Sequence, residues 1–339
     1  MGLERELRAA AIGRVETVAA APRGPGSGEV RVSVRRCGIC GSDLHFFTGR
    51  QPLPAVCPGH EISGVVAAVG PDVDGWSPGQ RVAVEPLVRC GHCPRCRRGD
   101  YHLCRQLRIA GVAVPGGMAD SLVVPDYTLF RLPDAVDFEL GALAEPMAVV
   151  VHALRLAGTV EGTSVLVLGA GSIGLLAAAA ARHLGAGSVA ITARHEHQRA
   201  AARRLGCDRV LDPDDVRKVE PRPCVVIETV GGSAATVPDA IRTVDRGGTI
   251  VIIGIFDAPL RIDSQALLVK EIRLVGSMVY NRTGGKADFD TALEILAAHA
   301  SELRPLVTHV FALQEAQIGF ETAADKKTGA IKVMLAPTS

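Results

Sequence analysis

No stretch of this 339-residue sequence stays apolar for long. The longest run, residues 173–181, falls far short of the roughly 20 residues that a membrane-spanning helix needs. The opening MGLERE lacks the apolar core of a secretory signal, so the expected setting is soluble and cytoplasmic, with no membrane partner. Neither sign of charge is in excess. Lys and Arg number 37 against 36 Asp and Glu, a formal net charge of +1, which removes any global attraction to nucleic acid. Aromatic residues are scarce, at 4%, and Gly is abundant, at 37 residues, so a core of small aliphatics and many tight turns is expected. Repeats and low-complexity tracts are missing too. What is present, 47% hydrophobic and 22% charged residues, suffices for a folded chain of two domains.

The first part of the chain reads as loop-rich antiparallel β structure. A Pro/Gly turn region at 21–28 (APRGPGSG) precedes an alternating strand at 30–34 (VRVSV), and similar strands are expected at 62–69 and 81–84. The texture changes near Glu145-Pro146. A helix-compatible run at 148–156 is followed by alternating strands (165–168, 189–192, 210–211, 225–227, 250–253) and helices (172–184, 196–205). That alternation marks a parallel sheet covered on both faces. After about residue 280 the pattern is mixed again, ending in a strand at 331–335. A β-rich domain, 1–146 with 281–339, is thus split by an inserted α/β domain, 147–280.

Nine cysteines in a chain of this kind are thiols or metal ligands rather than disulfides, and seven lie before residue 105. Cys90, Cys93, Cys96 and Cys104 form C-x2-C-x2-C-x7-C, close enough in sequence to wrap one tetrahedral Zn²⁺ with no open position, a structural site. A nucleic-acid zinc ribbon would use the same loop and its local arginines, but the chain as a whole is neutral. The segment Gly169, Ala170, Gly171, Ser172, Ile173, Gly174 is GxGxxG between a strand and a helix, the context of a dinucleotide pyrophosphate. About 20 residues on, where NAD sites carry Asp or Glu, stand Ala193 and Arg194, with Arg199 a turn later. No carboxylate there repels a 2′-phosphate and two guanidiniums are offered to one, which favours NADP(H) over NAD(H).

Cys40, Ser42, Asp43 and His45, then His60-Glu61, then Glu145 before Pro146, stand apart from the four-cysteine loop. Together they offer sulfur, nitrogen and oxygen donors for a three-ligand metal site with an open position. With GEVRVSVRRCGICGSDLH, PGHEISGVV, AEPMAVVVHA, VLVLGAGSIG and PLVTHVF in this order, the sequence resembles the zinc-dependent medium-chain alcohol dehydrogenases almost end to end. It looks most like the polyol, butanediol and threonine dehydrogenase branch. The resemblance implies a GroES-like β-rich catalytic domain split by a Rossmann doubly wound sheet, two Zn²⁺ per chain, and a homodimer or homotetramer. It makes Cys40 and His60 ligands of the catalytic zinc and leaves Glu61 and Glu145 as rivals for the third place. Asp43 would orient the histidine, and Ser42 and His45 would pass the substrate's hydroxyl proton outward. Hydride would move between a secondary alcohol (a polyol, diol or related hydroxyl compound) and a nicotinamide. The substrate-contacting Arg of sorbitol-type members is replaced by Val279, which points to a smaller diol or secondary alcohol. A lyase or epimerase using the cofactor transiently, or a non-enzymatic zinc-ribbon regulator, are the other readings. Cys37, Cys57, Cys207 and Cys224 are expected to be buried small residues, and Lys332 a strand-edge charge.

Overall fold

The computed structural model describes residues 3–283 and 285–337. Its backbone divides into Met1–Glu145 with Asn281–Ser339, and Pro146–Tyr280. The first unit is built on a sheet whose order is Val307–Ala312, Lys332–Ala336, Glu29–Gly38, Glu61–Val69, Arg81–Val84, Leu129–Arg131, with Ser121–Pro125 also paired to Glu29–Gly38. The VRVSV alternation does what a half-buried strand must: Val30, Val32 and Val34 are fully buried and pack with Ile62, Val66, Val82 and Val84. Register matters most at one end. Gly38 lies opposite both Glu61 and Met334, so three strands remote in sequence finish side by side there.

A hairpin of Glu4–Ala11 with Arg14–Ala20 precedes this sheet. The sequence reading does not contain it, because charged and small residues alternate there without a marked apolar face.

The second unit carries a parallel sheet in the order Arg209–Leu211, Ser188–Thr192, Ser164–Leu168, Val225–Glu228, Thr249–Ile252, Arg273–Gly276, the doubly wound dinucleotide-binding arrangement. Its first strand runs through a turn into the helix Ser172–His183, whose Ala-rich face is buried. As the scarcity of aromatics suggests, one of its buried clusters is Leu, Val, Ile and Ala alone, including Leu166, Val226, Ile241 and Ile250. No helix among the described residues is long and apolar enough to cross a membrane.

Two of the four cysteines expected to be buried are not. Cys37 and Cys57 are buried, but Cys224 is exposed and Cys207 only half-buried. Cys224 immediately precedes the strand Val225–Glu228, where its N–H donates to Ser164 Oγ at 3.1 Å and its sulfur lies 3.6 Å from the same oxygen.

Candidate active site

The strand Glu29–Gly38 ends two residues before Cys40, which stands at the N-terminal end of the short helix Gly41–Phe47. Cys40 N–H donates to Asp43 Oδ2 at 2.9 Å, so the helix start fixes the backbone that carries the thiol. His60 and Glu61 open the neighbouring strand. One ligand atom each from Cys40, His60 and Glu61 lies within 4.8 Å of the other two. Glu145, at the start of the helix Ala144–Ala157, is buried and electrostatically coupled to His60 and Glu61, but it lies outside that cluster. Ser42 and His45 are half-buried on the helix that Cys40 begins.

The charges around His60 call for a cation. Burial opposes a charged imidazole, yet the Cys40 sulfur and the Asp43 carboxylate outweigh it and raise its pKa well above the ordinary value. Its buried Nδ1 has no hydrogen-bond partner, and the nearest Asp43 oxygen is 4.0 Å away. Burial, opposed by His60 and reinforced by Glu61, pushes the Glu145 carboxyl up to about 7. A half-buried thiol beside a buried imidazole and buried carboxylates, with one nitrogen unpartnered, forms a donor set that fits Zn²⁺.

One charge here has no role in the sequence reading. Lys332, expected at a strand edge, is 2% exposed. Its Nζ donates to both Glu61 oxygens at 2.7 Å and to Ile39 O at 3.2 Å. The strand Lys332–Ala336 is flanked by Val307–Ala312 and Glu29–Gly38, so it is interior, and its lysine is enclosed. A single charge inside the apolar string AIKVMLA was the available signal.

The four-cysteine loop closes on itself. Sulfur separations are 3.9 Å for Cys90–Cys96, 3.9 Å for Cys93–Cys104 and 3.5 Å for Cys90–Cys104. Those are the edges of a tetrahedron with zinc–sulfur bonds of about 2.3 Å, for which the ideal edge is about 3.8 Å. They are far beyond a disulfide's length of about 2.05 Å. Backbone N–H groups of Cys96 and Arg105 pull the Cys93 thiol down to about 6, while burial and the other sulfurs push Cys96 up to about 12. Sulfurs this close cannot all ionise without a cation between them, so this set fits zinc as well.

The loop is tied to the sheet by a buried carboxylate. Tyr101 O–H donates to Glu85 Oε1 at 2.6 Å, and the Arg89 guanidinium lies 4.7 Å from the Tyr101 ring and 4.4 Å from the Tyr127 ring. Burial lifts Glu85 from the ordinary 4.5 to about 7, against the pull of Tyr101, Arg89 and Arg282 and with a push from Asp288. A carboxyl whose pKa rises on folding favours the folded state least when ionised. Its penalty grows between about pH 4.5 and 7 and levels off above, at on the order of 3 kcal/mol. Glu85→Gln is therefore expected to melt higher than the wild type, with the gap widening from pH 5 to pH 8. Paired thermal melts across that range check it, and a gap that is flat with pH refutes it.

In the second unit, Gly169 has φ +99° and Gly171 begins the helix Ser172–His183. A Cβ on Gly174 would lie 1.9 Å from Gly169 O, whereas one on Gly171 would meet open space. Close packing at the one and clearance at the other suit a helix start approached by a pyrophosphate, with the N–H groups around Ser172 and Ile173 available to it. Gly169 N–H is held by Thr192 Oγ1 at 2.8 Å, immediately before buried Ala193. Arg194 is exposed, but Arg199 Nη2 is 2.8 Å from Asp212 Oδ2 and so already has a carboxylate partner. The sequence reading also lacks Glu228, fully buried, whose Oε1 accepts from Val230 N, Gly231 N and Thr236 Oγ1 and shapes the turn beside Gly169.

Residues 26–134 match the alcohol dehydrogenase GroES-like domain, and residues 172–298 match the zinc-binding dehydrogenase domain. Among its relatives, L-threonine 3-dehydrogenase of Deinococcus deserti is 34% identical over 91% of this chain and 92% of its own length. The 2-dehydro-3-deoxy-L-galactonate 5-dehydrogenase of Pseudoalteromonas atlantica is 36% identical over 86% of each. A crystal structure from Sinorhizobium meliloti, described as a zinc-binding dehydrogenase bound to NADP, superposes with a TM-score of 0.89 at 31% identity, over 99% of this chain and 100% of that one. The two folds, the two cysteine-bearing sites and these likenesses lead to one conclusion: the chain belongs to the zinc-binding alcohol dehydrogenase family and is a nicotinamide-dependent oxidoreductase.

Proposed function

We propose that this enzyme oxidises a secondary alcohol, a polyol, diol or related hydroxyl compound, to the ketone, with NADP(H) preferred to NAD(H). The carrying observation is the convergence of Cys40, His60 and Glu61 within 4.8 Å. Zinc bound there would supply Lewis acidity to the substrate oxygen, and the nicotinamide would take the hydride. The protein's part is to hold and to move protons. Cys40 and His60 grip the cation, and Glu61 or Glu145 completes the protein ligands. Asp43 fixes the helix start, and Ser42 and His45 carry the hydroxyl proton towards solvent. Cys90, Cys93, Cys96 and Cys104 hold a second, structural zinc.

The Gly169–Gly174 turn, with Ser172 and Ile173, receives the pyrophosphate. Buried Ala193 presents no carboxylate to a 2′-phosphate, and exposed Arg194 supplies a donor, with Arg199, paired to Asp212, five residues on in the helix Glu196–Arg204 as a second. Val279 offers no cation to a long polyol or a phosphorylated one. A homo-oligomer, dimer or tetramer, is supported by the edge strand Arg273–Gly276 and by Leu268 and Val269, 78% and 55% exposed.

The test is absorbance at 340 nm with a panel of diols, polyols, sugar acids and threonine, each with NADP⁺ and NAD⁺. Stoichiometric reduction with at least one secondary alcohol, faster with NADP⁺, is the expected result. Conversion of substrate without net change at 340 nm would instead indicate a lyase or epimerase.

A further inference from the structure

The residues that lead into His60 are gripped backbone against backbone. Gly116 N–H donates to Cys57 O at 2.8 Å, Gly117 N–H to Gly59 O at 2.8 Å, and Met118 N–H to Pro58 O at 3.0 Å. Contact this close leaves no room for side chains. A Cβ on Gly116 would lie 2.3 Å from Gly59 O and 2.6 Å from Pro58 O, and one on Gly111 would lie 2.6 Å from Gly59 O. Gly59 and Gly111 also hold left-handed backbone, at φ +97° and +83°, which glycine alone adopts without strain. Gly59 is enclosed as well, since a Cβ there would lie 2.6 Å from both Cys37 Sγ and Met118 Cγ.

The imidazole that follows needs such a foundation. A metal-binding histidine ordinarily gives its second ring N–H to a carboxylate or carbonyl, which fixes the direction of the ring. His60 Nδ1 has no such partner, and the nearest Asp43 oxygen is 4.0 Å away. The direction of the ring must then come from the main chain that carries it. Downstream, that chain enters the strand Glu61–Val69, with Glu61 and Ile62 opposite Gly38 and Cys37. Upstream, it is seated on residues 111 and 116–118. We infer that Gly111 and Gly116 are positioning residues: their bare backbones seat residues 57–59 and so bring the His60 ring within reach of Cys40 before any cation arrives. The inference rests on the zinc reading above and adds to it what presets the site. The seat does not lean on the metal of the four-cysteine loop. Leu87–Val88 pairs with Arg108–Ile109, and Ala110 N–H donates to Pro86 O at 2.9 Å, so the base of that loop is closed by backbone alone.

Cobalt(II) exchanged for zinc gives visible bands that respond to the geometry of its donors. In Gly116→Ala, affinity for the ion at Cys40 and His60 should fall roughly 10–100-fold and the bands of that site should shift, while the four cysteines keep theirs. Turnover should fall with KM for the cofactor unchanged. Gly111→Ala should repeat the pattern. Gly70→Ala is the control for lost stability alone, because a Cβ there would lie 1.8 Å from Gly26 O, at the other end of the strand that His60 precedes. It should lower the melting temperature at least as far and yet keep both metals and the spectrum. A measurement on the wild type covers the case in which neither positioning variant folds. The amide hydrogens of Gly116, Gly117 and Met118 should exchange equally slowly with and without metal at Cys40 and His60. Unaltered affinity and spectrum at that site in the alanine variants, or protection gained only when its metal binds, would overturn the inference and leave the zinc reading standing. One metal per wild-type chain, held by the four cysteines alone, would overturn both.

Discussion

Cys40→Ser should lower turnover by on the order of 1,000-fold or more. Polarising the substrate oxygen contributes several kcal/mol of transition-state stabilisation, and every 1.4 kcal/mol is about a factor of ten. The serine oxygen is a harder, weaker donor to zinc than a cysteine sulfur. His60 and one carboxylate are then left to hold the cation. Zinc content should drop from two to one per chain. Cofactor affinity, read from the fluorescence of the reduced nicotinamide, should stay within a few-fold, because the Gly169–Gly174 turn belongs to Pro146–Tyr280 and its buried core is separate. Full turnover in a chain shown to lack the second zinc would refute the assignment of the metal to catalysis.

Cys93→Ser should act on stability first. Its sulfur is 3.9 Å from Cys104 Sγ, and its N–H donates to Cys90 Sγ at 3.4 Å, so one oxygen in place of sulfur disrupts a whole tetrahedron. Structural zinc contributes folding free energy directly. A loss of several kcal/mol is expected, and for a unit of this size that lowers the melting temperature by about 10 °C or more. The same chain freshly loaded with cofactor should show near-normal turnover below that melting range, since none of the four sulfurs belongs to the Cys40 cluster. Calorimetry and initial rates on one preparation separate the two effects. Equal melting temperatures with and without the substitution would show that the lobe does not need its metal.

Legibility followed sequence distance. The four-cysteine loop and the glycine turn are local, so spacing alone announces their chemistry, and the structure places each on the expected loop or strand–helix junction. Cys40, His60 and Glu61 carry little signal separately; resemblance pointed to them, and the register that sets Gly38 opposite Glu61 goes with their convergence. Lys332 lies 271 positions from Glu61, so the apolar string around it could hint at burial but not at its partner. Cys224, expected to be a buried small residue, stands one residue before the buried strand Val225–Glu228 begins. The rivalry of Glu61 and Glu145 is likewise a matter of packing, because both residues are acidic and both precede regular elements.

The ion pair also has a consequence for biosynthesis. Glu61 leaves the ribosome early, but its counter-charge belongs to the last strand described, Lys332–Ala336, and the whole of Pro146–Tyr280 is translated between them. The contiguous nucleotide-binding unit can therefore complete its fold while the nascent metal pocket still lacks its cation and a strand of its sheet. A nascent chain that has not yet reached Lys332 would hold the Glu61 carboxylate unneutralised beside Cys40 and His60.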